Sequence, residues 1–392
     1  MKKKVFFGLG VLAVGMVIGG VILDLRREKP MLSPLAKKMG LIIEKKAELK
    51  VFGFLPTWMV GKTQEYCREI NRLVFLGIEV DVKGELVWDV QSKKINNAEY
   101  IKSKDAIKKC GGKNILGIKL FDDEKLKTLM ADEEAKKNLA EEIKAAMTAG
   151  GFDGLNVDFE YQGDPTAVIE TEVLNLLSSF KEAGIGELSL DVFANTIIKG
   201  DGEKLKQILG VVDDLIVMAY DFHRPGMDFA GPVAPIGAPI GERNIGEIFQ
   251  KVEEMALDKK KIIMAYPLYG YEWRTETEEY GSATVKGWGQ MVSYARAKGL
   301  EENLGGVKLF WDEVSQTPWL TYKEERQVTK TTGVGKKRKT VTTAVTDIYQ
   351  AYYENERSLK IKVDLVKEKG YGGLGFWALG YEGEGKEVWG II

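Results

Sequence analysis

The chain has 392 residues, 44% of them hydrophobic and 29% charged, which is enough for one large domain or two medium ones. Its net charge of −2 gives no electrostatic case for nucleic acid as a partner. A single histidine, His223, excludes a multi-histidine metal site and any two-histidine mechanism, and Cys67 and Cys110 fit no metal-ligand spacing.

The N-terminus reads as a targeting signal. Lys2, Lys3 and Lys4 precede an uncharged apolar run over 5–23, followed by the charged stretch 24–29. That run is long enough to span a bilayer as a helix, and longer than the usual signal-peptide core of about 7–15 residues. A retained signal anchor is the first expectation, and a cleaved signal peptide the second. The leading lysines favour a cytoplasmic N-terminus and an extracellular body, a bias that Arg26, Arg27 and Lys29 weaken. Without a lipobox-like cysteine a lipoprotein is not expected. Residues 24–48 read as a juxtamembrane stem and 49–392 as the folded body, expected to be monomeric. Cys67 and Cys110 are open to either a disulfide or two buried free thiols.

From residue 51 the pattern is regular. Apolar runs at 51–58, 72–80, 114–121, 151–161, 187–195, 214–221, 261–270 and 372–380 read as strands. Helical patterns lie between them, notably at 96–110, 132–149, 166–183, 243–257 and 356–369. Eight such units over about 340 residues predict an α/β fold of the (β/α)8 barrel type. An open doubly wound sheet is the alternative, but no Gly-x-Gly-x-x-Gly follows any strand. The interval between the seventh and eighth strands is far longer than one helix needs and predicts an inserted α+β element at about 274–350. Within it, threonine- and valine-rich arms over 327–345 flank Gly333, Val334 and Gly335, a hairpin signal. Lys336, Lys337, Arg338 and Lys339 make its tip basic, which suits either a solvated edge protected from aggregation or contact with an anionic wall or membrane surface.

The fourth strand carries the chemistry. Alternate residues of a strand face opposite sides, so Leu155, Val157 and Phe159 share one face and Asn156, Asp158 and Glu160 the other. Helical sequence on both sides argues that this strand is covered, and buried acids cost several kcal/mol each unless paired or used. In barrels of this type the active site lies at the carboxyl ends of the strands. Those ends carry Trp58 on the first, Tyr161 on the fourth, and Tyr220, Asp221 and His223 on the sixth. The seventh adds Tyr266 and Tyr269, with Tyr271 and Trp273 just beyond, and the eighth adds Trp377. Carboxylates among large rings suit a carbohydrate, because rings stack on the apolar faces of sugars and acids serve the glycosidic bond.

These residues resemble glycoside hydrolase family 18, the chitinase-like enzymes. The run from Asp153 to Glu160 is similar to the DxxDxDxE signature of the family's fourth strand. Met218-Ala219-Tyr220-Asp221 is similar to its MxYD motif, and Tyr266-Pro267-Leu268-Tyr269-Gly270 to its strand-seven motif. Gly375-Phe376-Trp377-Ala378-Leu379 resembles the strand with the floor tryptophan, and 353–359 the YEDxRS segment of bacterial members. The resemblance implies a retaining mechanism in which the substrate's own acetamido group attacks, the exception to the two-carboxylate scheme. It makes Glu160 the general acid, Asp158 the group that holds the acetamido, and Tyr220 and Asp221 its hydrogen-bonding partners, with Trp377 as floor. Asn156, Tyr266, Tyr269 and Trp58 are further expected substrate contacts. Neither a metal nor an organic cofactor is implied. The implied substrate is a β-1,4-linked glycan containing N-acetylglucosamine, whether peptidoglycan, chitin-like or N-linked; a lectin-like member without activity is the alternative, against which the intact acid Glu160 speaks. Asn156 stands where the family signature has an aspartate, and DGxNxDFE is closer to the spore and cell-wall branch than to the chitinases. The family's strand-three SxGG is absent, since that strand reads Ile115-Leu116-Gly117-Ile118-Lys119-Leu120. No LysM-like or chitin-binding module is visible.

Overall fold

The computed structural model describes residues 49–63, 66, 68–161, 171–332 and 338–392. The expected anchor and stem, Cys67, and the hairpin turn with Lys336 and Lys337 lie outside the described residues. Among the described residues no helix is long and apolar enough to cross a membrane, and no group of three potential ligands could hold a metal ion. Residues Leu49–Ile392 form one compact unit.

Each predicted apolar run contributes a strand to one parallel sheet: β1 Lys50–Pro56, β2 Arg72–Val80, β3 Lys113–Leu120, β4 Gly154–Phe159, β5 Glu187–Phe193, β6 Asp214–Met218, β7 Ile262–Pro267 and β8 Gly373–Trp377. Neighbours pair in chain order, and β1 pairs with both β2 and β8. The sheet is therefore a closed eight-stranded barrel, not an open doubly wound one.

Period-two alternation sorts the side chains. Phe52, Phe54, Val74, Leu76, Ile115, Ile216, Ile263 and Ala265 fill the interior, while outward residues such as Leu116 and Ile118 pack with Leu139 and Ile143 of the helix Glu133–Gly150. Two adjacent strands break the apolar filling: β4 sends in Asn156 and Asp158, and β5 sends in Ser189 and Asp191, all buried. At the amino ends of the strands the barrel is closed by ion pairs, with Lys50 to Asp214 at 2.6 Å, Arg72 to Glu187 at 2.9 Å and Lys113 to Glu187 at 2.6 Å.

The approach to β4 is set locally. Asp132 caps the helix Glu133–Gly150 by accepting from the amides of Glu134 and Ala135, and the helix ends on Gly151 at φ 63°, a left-handed cap that glycine reaches without strain. The chain then turns, the Asp153 carboxylate accepts the Asn114 amide at 2.9 Å, and β4 begins at Gly154. The predicted start at Gly151 is thus three residues early because the cap and turn consume them.

Between β7 and β8 lies a five-stranded antiparallel sheet in the order Gln290–Ser293, Tyr269–Thr275, Lys339–Tyr352, Thr317–Thr332, Lys308–Asp312, with the helix Tyr294–Asn303 beside it. The seventh predicted strand is divided: β7 stops at Pro267, which has no N–H to extend the ladder, and Tyr269 opens the inserted sheet. The arms of the expected hairpin pair as Val328 with Thr343 and Thr329 with Thr342, and Arg338 at its end is exposed. Cys110 is disulfide-bonded.

At the foot of the insert, the Lys362 ammonium of the helix Glu356–Lys369 lies 2.8 Å from the Glu354 carboxylate, and neither side chain touches solvent. Lys362→Met leaves that carboxylate buried and uncompensated. The expected loss is about 3–5 kcal/mol of unfolding free energy in urea; a loss below about 1 kcal/mol would contradict this account of the pair.

Candidate active site

A cleft of about 170 Å³, open to solvent, lies at the carboxyl ends of the strands. Its wall and floor include Asp158 and Glu160 from β4, Asp191 from β5, Tyr220 and Asp221 after β6, Tyr269 after β7 and Trp377 from β8. A larger groove between the helices Glu133–Gly150 and Thr171–Glu182 is lined by Lys136, Lys137, Glu141 and Lys144 and lies away from these groups.

Three acids stand together in the polar sector of the barrel. Asp158 is 4% exposed, and its Oδ1 has no hydrogen-bond partner among the described residues. Burial raises its pKa well above the ordinary value, and the charges of Asp191 and Glu160 push it further the same way. Burial likewise raises Asp191 to about 8, against the hydrogen bond from Asn156 that favours its charged form. Glu160, half-buried at the mouth, is raised to about 7, first by burial and then by the charge of Asp221. Three carboxyl groups this close cannot all be ionised at neutral pH, so the cluster stores protons next to the cleft.

The aromatic residues enclose this cluster. Trp377 is half-buried, with its ring centre 6.0 Å from Phe54 and 6.2 Å, edge-on, from the exposed Trp58. The Trp58 indole donates to the Tyr381 hydroxyl at 3.3 Å. Asp221, at φ 61°, accepts from the hydroxyls of Tyr269, at 2.5 Å, and Tyr271, at 2.9 Å. Tyr220 packs between these rings and the acids, and burial raises its hydroxyl pKa well above the usual value, so it stays a donor.

Of the residues singled out in the sequence, Asp158, Glu160, Tyr220, Asp221, Tyr269, Trp58 and Trp377 all border this cleft. Two others do not. Tyr266 faces outward from β7, fully buried in the layer between barrel and helices. Asn156 lies one layer below Asp158, fully buried, and donates to Asp191 at 2.8 Å and Ser189 at 3.1 Å. His223 is half-buried and donates from Nδ1 to the Pro232 carbonyl at 3.0 Å. Asp191 and Lys119 also border the cleft and were missed in the sequence. Alternation within the fifth predicted strand puts Ser189 and Asp191 on one face, the signal by which the first could have been found.

A model of glycosyl hydrolases family 18 matches residues 64–382. The chain belongs to glycosyl hydrolase family 18. Relatives of this family 18 hydrolase include the "Cortical fragment-lytic enzyme" of Bacillus anthracis, 26% identical over 170 residues, 43% of this chain and 32% of that protein. The "Putative sporulation-specific glycosylase YdhD" of Bacillus subtilis is 25% identical over 265 residues, 66% of this chain and 54% of that protein. The match thus spans about a third to about half of the length of these curated relatives. Among solved structures, a family 18 chitinase from Cycas revoluta in complex with (GlcNAc)3 superposes with a TM-score of 0.69 at 19% identity, covering 88% of this chain and 98% of that one. At that identity the likeness speaks for the fold.

Proposed function

We propose that the protein hydrolyses β-1,4 linkages in a glycan containing N-acetylglucosamine, peptidoglycan or chitin-like, with retention of configuration and with the substrate's acetamido group as nucleophile. The observation that carries this reading is a carboxyl at the cleft mouth, Glu160, whose pKa burial and Asp221 raise to about 7, two residues along one strand face from the buried Asp158. Glu160 gives its proton to the departing glycosidic oxygen and then, as a base, activates water. Asp158 receives the acetamido N–H and steadies the positive charge that develops as the carbonyl oxygen attacks the anomeric carbon. Tyr220 donates to that same carbonyl, Asp221 takes a sugar hydroxyl, and Trp377 supports the ring. The apolar run at 5–23 supports a place at the outer face of the cell membrane, which fractionation of cells producing the chain would test.

Mass spectrometry of the products from chitooligosaccharides and purified sacculi tests the activity, and proton NMR of the first product formed tests the stereochemistry. The β-anomer is expected to appear first; initial α-anomer would overturn the mechanism.

The acid role sets a pH dependence. Glu160 acts in its protonated form, present below its pKa of about 7 and lost above it. We expect kcat/KM to fall as pH rises through about 7, and a profile flat from pH 6 to 8 would contradict the assignment. Asn156→Asp replaces the amide that donates to Asp191 with a second carboxyl at the same 2.8 Å separation. One proton is then shared between the two, which adds negative charge beneath the site and moves the alkaline limb upward. An unchanged limb would count against this role for position 156.

A further inference from the structure

Lys119 is the only basic residue among the described residues that line the cleft. It sits on the inward face of β3, two positions beyond Gly117, and β3 pairs directly with β4 so that Lys119 lies opposite Asp158 in register. Its ion pair is with Glu79, its register partner on the other side, at 3.3 Å. The Glu79 side chain is 60% exposed, and so open a pair is weak. A stronger anion can displace it. The ammonium also lies 5.3 Å from the centre of the half-exposed Phe121 ring, which borders the same cleft.

A second cation follows Asp221 in the chain. Arg224, in the turn after Asp221, is exposed, and among the described residues its side chain makes no hydrogen bond or ion pair. Its charge reaches Glu160 and Asp221, as that of Lys119 reaches Glu160 and Asp158. For an uncharged glycan this arrangement is a handicap, since cations beside the general acid favour loss of the proton it must deliver. A substrate that brings its own negative charge removes that handicap.

The charge pattern also says where that group sits. The donor pocket is walled by Asp158, Asp191 and Asp221, which repel an anion. The charges of Lys119 and Arg224 instead reach Glu160, whose carboxyl must reach the oxygen joining donor and leaving sugars.

We propose that Lys119, supported by the charge of Arg224, forms an anion subsite in the cleft that selects glycans whose leaving sugar carries a free carboxylate, as the lactyl ether of a muramic acid freed of its stem peptide does, over uncharged chitin-type chains. The proposal rests on the glycosidase reading above and names its substrate class.

The test uses two short glycans identical except that the lactyl carboxylate of one is reduced to the alcohol in the other. In the full-length Glu160→Gln chain, calorimetry is expected to give about tenfold tighter binding of the carboxylate form at low salt, narrowing as ionic strength rises. Lys119→Met in that background removes the preference, and Lys119→Arg keeps most of it. In the chain with Glu160 intact, kcat/KM for the two glycans follows the same ratio. Equal binding of the two glycans, or a preference that survives Lys119→Met in a folded protein, overturns the subsite. Failure of the glycosidase reading looks different: neither glycan is cleaved by the native chain while the binding preference persists.

Discussion

Glu160→Gln lowers kcat by about two to four orders of magnitude, the usual contribution of a positioned general acid, while oligosaccharide binding persists. Glutamine keeps the shape and the polar contact but has no proton to give the leaving oxygen. Glu160 is half-buried at the end of β4 and makes no hydrogen bond with the described residues, so the substitution breaks none among them. Its elevated pKa, set by burial and by Asp221, is wasted on a structural residue and suited to an acid. Turnover of chitooligosaccharides by the purified variant, read beside its melting temperature, checks the point. Normal turnover in a folded variant would remove the acid from the mechanism.

Asp158→Asn is expected to reduce kcat by about 10²–10³ with little change in KM. The substitution is isosteric and keeps a hydrogen-bond acceptor, so substrate can still bind. What is lost is the negative charge that opposes the positive charge developing on the acetamido nitrogen, and that interaction exists only in the transition state. The structure leaves Asp158 poised for it: Oδ1 is buried without a partner among the described residues, and the residue borders a cleft walled by Tyr220 and Trp377. A loss smaller than about tenfold in single-turnover kinetics would mean that another group is the nucleophile, since Asp158 would then have no charge to stabilise.

Asp158 and Glu160 were legible from sequence because the information is local. A strand alternates its side chains, so polar residues at 156, 158 and 160 among apolar ones declare a shared face without any knowledge of neighbours. The same rule, applied to eight apolar runs separated by helical patterns, was enough for the barrel. Trp377 and the Tyr220–Asp221 pair were legible for a related reason, since carboxyl strand ends converge in any such barrel. Boundaries were less legible where a single residue decides them, as Gly151 does before β4 and Pro267 does after β7.

What depended on the tertiary structure is which neighbours meet. Asn156 carries the same alternation signal as Asp158, yet it lies a layer deeper and spends its amide on Asp191 and Ser189. Tyr266 and Tyr269 look equivalent in a strand motif, but they fall on opposite sides of the break at Pro267, one behind the sheet and one at the cleft. Asp191 and Lys119 joined the site only because β5 and β3 flank β4 in the closed ring, which places Lys119 across from Asp158 and Ser189 across from Asn156. Alternation along one strand is a property of the chain and is written in its sequence. The register between strands is set by the closure of the whole barrel, and it decided which charges face the acid.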